Sequence, residues 1–350
     1  MSATETTGHL PQNLLLQWHV TERCNLRCQH CYQDANPCPE LDFPTLLTIL
    51  EQFKALLAHL RKQAPFLPAH ITLTGGEPFV RKDFPELVET IASQSNLFSF
   101  AILTNGALID REHAAWLSQM KPKFVQVSLE GNQATHDRIR GIGNFAQTVA
   151  AIQRMTQVKI PVYISFTAQK QNYREFLEVA RLGRKLKVQR VWSDRAIPTG
   201  KNRDELRQQT LSPEETRDWL AILARARQEA RRDWNSRTEI SLNRALQFFA
   251  SKGQPYRCSA GNNLICLLPN GDLVPCRRMP IVVGNVLQNP LAELYGCETF
   301  AELRNPQRIS AGCENCLFNR LCAGGLRCLT YALNGSPFQA DPGCWVAKHP

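Results

Sequence analysis

Short apolar runs alternate with longer amphipathic ones along the first 200 residues. The short runs are strand-like and fall at residues 14–20, 70–76, 98–106, 124–131, 162–168 and 188–194. Between them, apolar residues recur at helical spacing in residues 44–64, 84–94, 110–120, 144–158 and 173–187. Six β-then-α units predict a parallel sheet with right-handed crossovers. Only about 190 residues are available, so we predict an α/β fold with a partial (β/α)6 TIM-like barrel, because a full barrel takes about 250.

A different pattern follows the barrel. Ser212, Pro213 and two glutamates begin a helix with an N-cap, a first-turn proline and acidic first-turn residues, and we expect residues 211–250 to be helical. After about residue 255, Cys, Gly, Pro and Asn become frequent, and "CLLPNGDLVPC" predicts a hairpin with its turn at Asn270 and Gly271. We therefore predict three regions: a barrel over 1–210, a helical bridge over 211–255 and a small cysteine-rich α+β domain over 256–350.

Composition narrows the class of protein. The 350 residues are 43% hydrophobic, and no apolar run approaches the roughly 20 residues of a membrane span. The N-terminus lacks the regions of a signal peptide, so we expect a cytoplasmic protein. Its thirteen cysteines are then more typical of metal ligands than of disulfides. The formal charge of +10 fits either a solvated basic surface or an anionic partner. Without a zinc-finger or RNP-type signature, we do not expect a nucleic-acid partner.

Three cysteines lie within eight residues directly after the first predicted strand, at Cys24, Cys28 and Cys31. Active sites of barrels lie at the C-terminal ends of the strands. Three thiolates can hold three irons of a [4Fe–4S] cluster and leave the fourth iron open to a ligand. The alternative is a zinc site that takes His30 or Cys38 as its fourth ligand, although zinc knuckles usually pair cysteines as C-x2-C.

The loop "CNLRCQHCY" is followed in order by "TGGEP" (74–78), "TNG" (104–106), "SLEG" (128–131) and "HDRIRG" (136–141), each placed after a predicted strand. This ordered set resembles the signature of the radical S-adenosylmethionine (radical SAM) enzymes. The resemblance implies a cofactor-binding set for S-adenosylmethionine (SAM): Tyr32 by the adenine, Gly75, Gly76, Glu77 and Pro78 at the methionine amino group, Asn105 in the third motif, Ser128 near the ribose, and Arg140 at the carboxylate. An arginine fork suits a carboxylate, and glycines allow a backbone to approach a ligand. Taken alone, residues such as Asn105 and Ser128 are more often loop caps than ligands.

Eight further cysteines resemble those of the SPASM domain, a C-terminal extension of radical SAM enzymes. The resemblance implies two auxiliary [4Fe–4S] clusters, one held by Cys258, Cys266, Cys276 and Cys328, the other by Cys313, Cys316, Cys322 and Cys344. Two zinc sites are the alternative. Five residues separate Cys322 from Cys328 where relatives commonly have three, and the interval from Cys266 to Gly271 is short, so the roles of Cys266 and Cys328 stay open. Cys38 and Cys297 match no ligand position and are expected to be ordinary thiols.

The resemblance also implies the chemistry. Three [4Fe–4S] clusters are expected, and the one at Cys24, Cys28 and Cys31 would cleave SAM reductively to methionine and a 5′-deoxyadenosyl radical, which removes a hydrogen atom from the substrate. An external one-electron donor such as flavodoxin or ferredoxin would reduce the protein. The auxiliary clusters fit an oxidative outcome such as a crosslink, a desaturation or a decarboxylation.

Two substrate classes remain. A ribosomal peptide or a protein side chain is the first choice, since SPASM proteins often modify these. The alternative is a tetrapyrrole, because "CRRMPIVVGNVLQNPLAELY" and "DPGCW" also resemble haem-biosynthesis members that act on porphyrin propionates. Arg277 and Arg278 would then face a carboxylate, unless they only form surface salt bridges. Sulfatase-maturing relatives carry an aspartate base where Arg277 stands, so formylglycine formation is disfavoured. A zinc-binding structural or nucleic-acid-binding module is the alternative of another class.

Overall fold

The structure is a computed structural model that describes residues 9–33 and 38–347. All six strands predicted for the barrel are present, and four shorter ones follow. In chain order the strands are β1 (Leu14–His19), β2 (Ala69–Thr74), β3 (Ser99–Thr104), β4 (Phe124–Ser128), β5 (Val162–Ala168), β6 (Arg190–Arg195), β7 (Glu239–Ser241), β8 (Leu264–Leu267), β9 (Asp272–Val274) and β10 (Gly284–Asn285).

The five helices that the apolar spacing predicted are present between β1 and β6, and one that it did not predict, Gln133–Arg140, directly follows β4. The helices are α1 (Phe43–Arg61), α2 (Phe84–Ala92), α3 (Arg111–Met120), α4 (Gln133–Arg140), α5 (Asn144–Gln157), α6 (Phe176–Lys185), α7 (Arg203–Gln208), α8 (Pro213–Arg232), α9 (Phe248–Ser251), α10 (Leu291–Tyr295), α11 (Glu298–Arg304), α12 (Asn319–Cys322) and α13 (Arg327–Asn334). The alternation of strand and helix gives an α/β fold with parallel pairing, as predicted.

The described residues group into two compact units. The first contains residues 9–24, 38–102 and 259–307. Its strands follow the order β10-β9-β8-β1-β2-β3, in which β1 is parallel to both β2 and β8. Strands β8 and β9 are antiparallel and form the predicted hairpin, with Gly271 at a φ of 87° in its turn. The hairpin of the cysteine-rich region therefore extends the sheet beside β1, the strand that leads to Cys24.

The second unit contains residues 25–33, 103–258 and 308–347. Its strands β4, β5, β6 and β7 are parallel neighbours in that order. Strand β5 buries Val162, Ile164 and Phe166, as expected for a parallel sheet that is covered by helices. The sheet places the C-terminal ends of β4, β5 and β6 at one edge, where the motifs predicted to bind the cofactor begin.

The region predicted to be helical from residue 211 to 250 is only partly so. Helix α8 begins at the predicted N-cap Ser212, which forms a capping box with Glu215, but it ends at Arg232. Residues 239–241 then form β7, which pairs with β6. The prediction failed there because three residues are too short to show a strand period, and pairing with β6 decides their conformation. The domain bounds at residues 210 and 255 remain a prediction.

Among the described residues, no helix combines the length and the apolar character needed to cross a membrane.

Candidate active site

The loop after β1 lies against the loop after β2 in the first unit. Gly76 N donates to Thr21 O at 2.8 Å, and Glu77 N donates to Arg23 O at 2.9 Å. A Cβ at Gly75 would lie 2.3 Å from Thr21 O, and one at Gly76 would lie 2.2 Å from Arg23 O. Any side chain at either position would therefore separate the two backbones. The glycines are needed to hold the segment that leads to Cys24, apart from any approach of a ligand.

Glu77 is fully buried, and its Oε1 accepts a hydrogen bond from Phe79 N at 3.2 Å. Pro78 begins the short 3-10 helix Pro78–Val80 directly after it. The carboxylate thus caps this turn and fixes the loop that follows β2. That Glu77 and Pro78 also contact the methionine amino group stays a prediction.

The rest of the cysteine loop belongs to the second unit and is held from two sides. Gln29 N donates to Ile139 O at 2.8 Å near the end of α4, and Asn202 Nδ2 donates to Gln29 O at 2.8 Å. Gly200, at a φ of 72°, packs so closely that a Cβ would lie 2.3 Å from Tyr32 O. The loop is therefore held by backbone contacts before any metal binds, and the segment after β6 takes part in that support.

A buried charge network lies behind Cys28. Glu130 is fully buried, and its Oε1 accepts from Arg140 Nη2 at 2.6 Å and Nε at 3.1 Å, while His30 Nε2 lies 3.3 Å away. Its Oε2 accepts from Thr167 N at 2.8 Å. Arg140 Nη1 lies 3.9 Å from Cys28 Sγ. The arginine that the sequence assigned to the SAM carboxylate is thus fixed beside a predicted cluster ligand by Glu130.

The network has a clear electrostatic consequence. Burial raises the pKa of the Cys28 thiol, while the Arg140 charge acts in the opposite direction. Although burial alone would raise the pKa of Glu130, the Arg140 and His30 groups hold it well below its ordinary range. Glu130 is therefore a permanent anion that keeps Arg140 in place. The guanidinium in turn favours the thiolate that iron requires.

Two other predicted cofactor residues lie at the ends of neighbouring strands. Asn105 Nδ2 donates to Asn25 Oδ1 at 2.8 Å, and Asn105 Oδ1 accepts from Ala107 N at 2.9 Å. The motif after β3 therefore fixes the residue that follows Cys24. Ser128, half-buried at the end of β4, has its Oγ 3.3 Å from Ser165 Oγ. Contacts of Tyr32, Asn105 and Ser128 with SAM stay a prediction.

A second group of thiols lines an apolar cavity of the second unit. The cavity is open to solvent, has an empty volume of about 370 Å³, and is lined by residues that include Cys313, Cys316, Cys322, Cys344, Phe248, Phe249 and Phe318. Burial raises the pKa of Cys313 to about 11 and that of Cys322 to about 12. Four thiols that line one apolar cavity are of the soft ligand type that an iron–sulfur cluster needs, and their assignment to one cluster stays a prediction.

A buried ion pair beside this cavity contacts the residues between Cys322 and Cys328. Asp341 is fully buried and accepts from Arg195 Nη1 and Nη2 at 2.7 and 2.6 Å and from Leu326 N at 2.8 Å. A Cβ at Gly325 would lie 2.5 Å from Asp341 Oδ2. The extra residues between Cys322 and Cys328 thus include a glycine and a backbone amide that enclose this carboxylate.

The other predicted ligand set is divided between the two units. Cys266, in β8, is fully buried, and burial together with Cys276 raises its pKa well above the ordinary value. Cys258 and Cys328 are buried in the second unit. Within the part of the chain that the structure describes, no three Cys, His, Asp or Glu side chains converge on a single metal ion. The assignment of these four cysteines to one cluster remains a prediction.

Arg277, which follows Cys276, forms an ion pair as the alternative interpretation expected, but it is buried and not on the surface. Its side chain is 6% exposed, and Nη2 lies 3.7 Å from Glu22 Oε1. Burial and the Arg277 charge lower the pKa of His19 well below its ordinary value, so that this imidazole is neutral. Glu22 also accepts from Cys38 N at 2.9 Å. The first unit therefore holds a buried cation against Glu22, a residue that lies two positions before Cys24.

Sequence reasoning did not assign a role to several of these residues. Glu130 lies inside the quoted motif "SLEG", so its acidic side chain was the available signal. Gly200 and Asn202 occur in "PTGKN", a typical turn sequence that gives no sign of its contact with the cysteine loop. Asp341 stands in the quoted "DPGCW", but its partner Arg195 is 146 residues away.

Comparison with known families and proteins identifies the class of the chain. Residues 18–183 match the radical SAM superfamily, and residues 258–317 match the SPASM iron–sulfur cluster-binding domain. Fe-coproporphyrin III synthase of Methanosarcina barkeri is 29% identical over 95% of this chain and 87% of its own length. PqqA peptide cyclase of Rhodopseudomonas palustris is 27% identical over 98% of this chain and 89% of its own. The solved structure of anSMEcpe with bound AdoMet superimposes with a TM-score of 0.73 at 18% identity, over 95% of this chain and 90% of that one.

The fold, the thiol sets and these matches define an iron–sulfur enzyme of the α/β class. The chain belongs to the radical SAM superfamily and carries a C-terminal SPASM domain. Iron–sulfur clusters and SAM are therefore its cofactors, rather than the structural zinc of the alternative interpretation.

Proposed function

We propose that this protein is a radical SAM oxidoreductase that oxidises a carboxylate-bearing substrate, with a tetrapyrrole as the favoured class. The observation that supports the chemistry is the guanidinium of Arg140, fixed 3.9 Å from Cys28 Sγ by a buried carboxylate. When bound, the cluster at Cys24, Cys28 and Cys31 would supply one electron to SAM, and the adenosyl group would then abstract a hydrogen atom.

The roles of the chain's own residues follow from their contacts. Arg140 presents its Nη1 edge toward Cys28, because Nε and Nη2 are occupied by Glu130. A carboxylate that approaches the cysteine loop would meet that edge, as the amino-acid end of SAM does in this proposal. Glu130 orients the guanidinium. The hydrogen bonds of Gln29 with Ile139 and Asn202 hold the backbone of the cysteine loop in place.

For the auxiliary sites we propose two closed [4Fe–4S] clusters, which makes three clusters in total. One cluster would be bound by the four cavity thiols, Cys313, Cys316, Cys322 and Cys344. The other would be bound by Cys258, Cys266, Cys276 and Cys328. Four thiolates leave no iron open, which suits electron transfer rather than substrate activation. Electrons would come from a flavodoxin- or ferredoxin-like donor in a reducing cytoplasm.

Two substrate classes have support among relatives. The peptide, the first choice from sequence, is supported by the name of the PqqA peptide cyclase, and the tetrapyrrole by that of the Fe-coproporphyrin III synthase. Their identities to this chain, 27% and 29%, do not separate the two classes. We favour the tetrapyrrole because the segments "CRRMPIVVGNVLQNPLAELY" and "DPGCW" resemble those of haem-biosynthesis members. Arg277 itself does not decide between the classes, because it is buried against Glu22.

The test is substrate-dependent turnover of the anaerobically purified, cluster-loaded protein with dithionite as the reductant. We expect 5′-deoxyadenosine release in the presence of SAM, with stimulation by coproporphyrin III or its iron complex and oxidation of the porphyrin. Release that responds only to peptides would move the proposal to the peptide class. No release under any condition, with all clusters present, would overturn the radical SAM activity itself.

A further inference from the structure

One transverse row of side chains crosses the sheet of the second unit. Ser128 on β4 lies opposite Ser165 on β5, Ser165 lies opposite Trp192 on β6, and Trp192 lies opposite Ser241 on β7. Residues in register on neighbouring strands point to the same face of a sheet. Since neighbouring strands are about 4.8 Å apart, Trp192 is about 10 Å from Ser128, the residue assigned to the SAM ribose.

Trp192 extends across this face. Its Nε1 donates to Gln126 Oε1 at 3.0 Å, and Gln126 is on β4, two strands away. The indole must therefore cross over β5, where the small side chain of Ser165 leaves room for it. The ring is only partly buried. The row thus offers a flat aromatic surface beside the predicted cofactor position.

Arg244 lies over that surface. Its Cζ is 4.6 Å from the centroid of the Trp192 ring, which is the geometry of a cation–π contact. Its backbone N donates to Gln247 Oε1 at 3.0 Å, so the segment after β7 is fixed. Arg244 is half-buried and forms no ion pair with any carboxylate of the described residues.

Arg190 provides a contrast on the same face of the sheet. It stacks on Tyr163 at 4.7 Å, as Arg244 stacks on Trp192, and both arginines are half-buried. Arg190 Nη2, however, lies 2.6 Å from Glu239 Oε2. One cation on this face is therefore neutralised by the protein, whereas the other is held on an aromatic ring without an acidic partner. A half-buried guanidinium of that kind is suited to binding an anion.

We propose that Arg244, supported by Trp192, binds a carboxylate of the substrate. This rests on the proposed function, under which the carboxylate is a propionate of a tetrapyrrole. The guanidinium would form two parallel hydrogen bonds to the carboxylate. The planar macrocycle would lie along the face that Trp192 and the serines form.

The experiment is an anaerobic titration of the cluster-loaded protein with coproporphyrin III, followed by the shift of the porphyrin Soret band. We expect Arg244→Gln to weaken binding about tenfold or more, the loss of one charge-assisted pair. Arg244→Lys should lose less, because it keeps the charge without the fork. Arg190→Gln is the matched control and should change the dissociation constant less than about twofold, because Glu239 already neutralises that cation.

The results of this titration test the role of Arg244 in substrate binding separately from the radical SAM reaction. Equal weakening by Arg244→Gln and Arg190→Gln would overturn the role of Arg244, since charge alone would then explain binding. If the unmodified protein does not bind coproporphyrin III, the tetrapyrrole site is wrong, whereas 5′-deoxyadenosine release would still stand as a separate observation. Loss of binding in Arg244→Gln with unchanged iron content and melting temperature would support the proposal.

Discussion

The loop that carries Cys28 and the cavity that contains Cys313 place thiols in two different surroundings within one unit of the protein. Beside Cys28, Arg140 and Glu130 form a buried ion pair, and Arg140 Nη1 points to the sulfur at 3.9 Å. Around Cys313 the walls are largely aromatic, and the buried charges Arg195 and Asp341 form an ion pair with each other. The first site places a guanidinium directly against a sulfur, whereas apolar rings form much of the wall of the second.

Under the proposed function, this difference would separate a reactive cluster from electron-carrying ones. A cluster that must bind an amino acid needs an open iron and a charge that its ligand can meet. A cluster that only carries electrons is better enclosed by four thiols and apolar walls, which limit access and shape its potential. The number of cysteines and the surrounding charge therefore both indicate which site would bind SAM and which would only carry electrons.

The largest expected effect comes from removal of a ligand of the reactive cluster. Cys28→Ala should reduce 5′-deoxyadenosine release about a thousandfold or more, and iron should fall from about twelve to about eight per chain, because the closed clusters remain. Release by mass spectrometry and iron and sulfide analysis after anaerobic purification measure both. Cys297→Ala, which matches no ligand position, is the control and should keep both values. Unchanged iron in Cys28→Ala would mean that this cysteine is not a ligand.

A large loss in the free energy of unfolding is expected when the buried ion pair beside the cavity is broken. Asp341→Asn leaves Arg195 buried without its partner, which costs about 3–5 kcal/mol. Chemical unfolding of the metal-free protein measures this change. The double variant Arg195→Met with Asp341→Leu should recover much of the loss, because it removes both charges. Arg181→Gln, in an exposed pair with Glu229, is the control and should leave the unfolding midpoint close to that of the unmodified protein. A similar loss for the exposed pair would contradict the role of burial.

Substitution of Glu130 should weaken the binding of SAM at the reactive site. Glu130→Gln removes the anion that holds Arg140, a charge-assisted bond worth about 1.5–3 kcal/mol, so the KM for SAM should rise roughly 10- to 100-fold. Steady-state release of 5′-deoxyadenosine measures it, with Glu229→Gln as the control. Glu130→Asp should keep part of the affinity. An unchanged KM with a lowered kcat would show that Glu130 does not act through Arg140.

How much of this site was predictable depended on how far apart in sequence the contacting residues are. The cysteines, the glycines at 75 and 76, and Arg140 follow from local motifs. The interactions of Arg195 with Asp341 and of Asn202 with Gln29 join residues that are 146 and 173 apart, and no local pattern reports such contacts. Similarly, β7 depends on pairing with β6. The burial of Arg277 could also not be predicted from the sequence, because arginine side chains are usually exposed.

The smallest expected effect is a pH dependence from His136. Its Nδ1 accepts from Glu130 N at 3.1 Å, which requires the neutral ring, and burial and the Arg140 charge lower its pKa to about 4. The unfolded chain, with an ordinary value near 6.5, binds the proton first as pH falls. Stability should therefore decrease by about 2 kcal/mol from pH 6.5 to 4.5. Thermal unfolding over that range measures it, and His136→Gln should flatten the curve. An equal slope in the variant would assign the dependence to other groups.

Electron paramagnetic resonance of the reduced, cluster-loaded protein with and without SAM tests the contrast between the open and closed sites most directly. SAM should change the signal of one cluster and leave the signals of the auxiliary clusters as they were. Cys28→Ala should lack the responsive signal and keep the others. If SAM changes no signal, or if the responsive cluster survives in Cys28→Ala, the assignment of the reactive site to Cys24, Cys28 and Cys31 is contradicted.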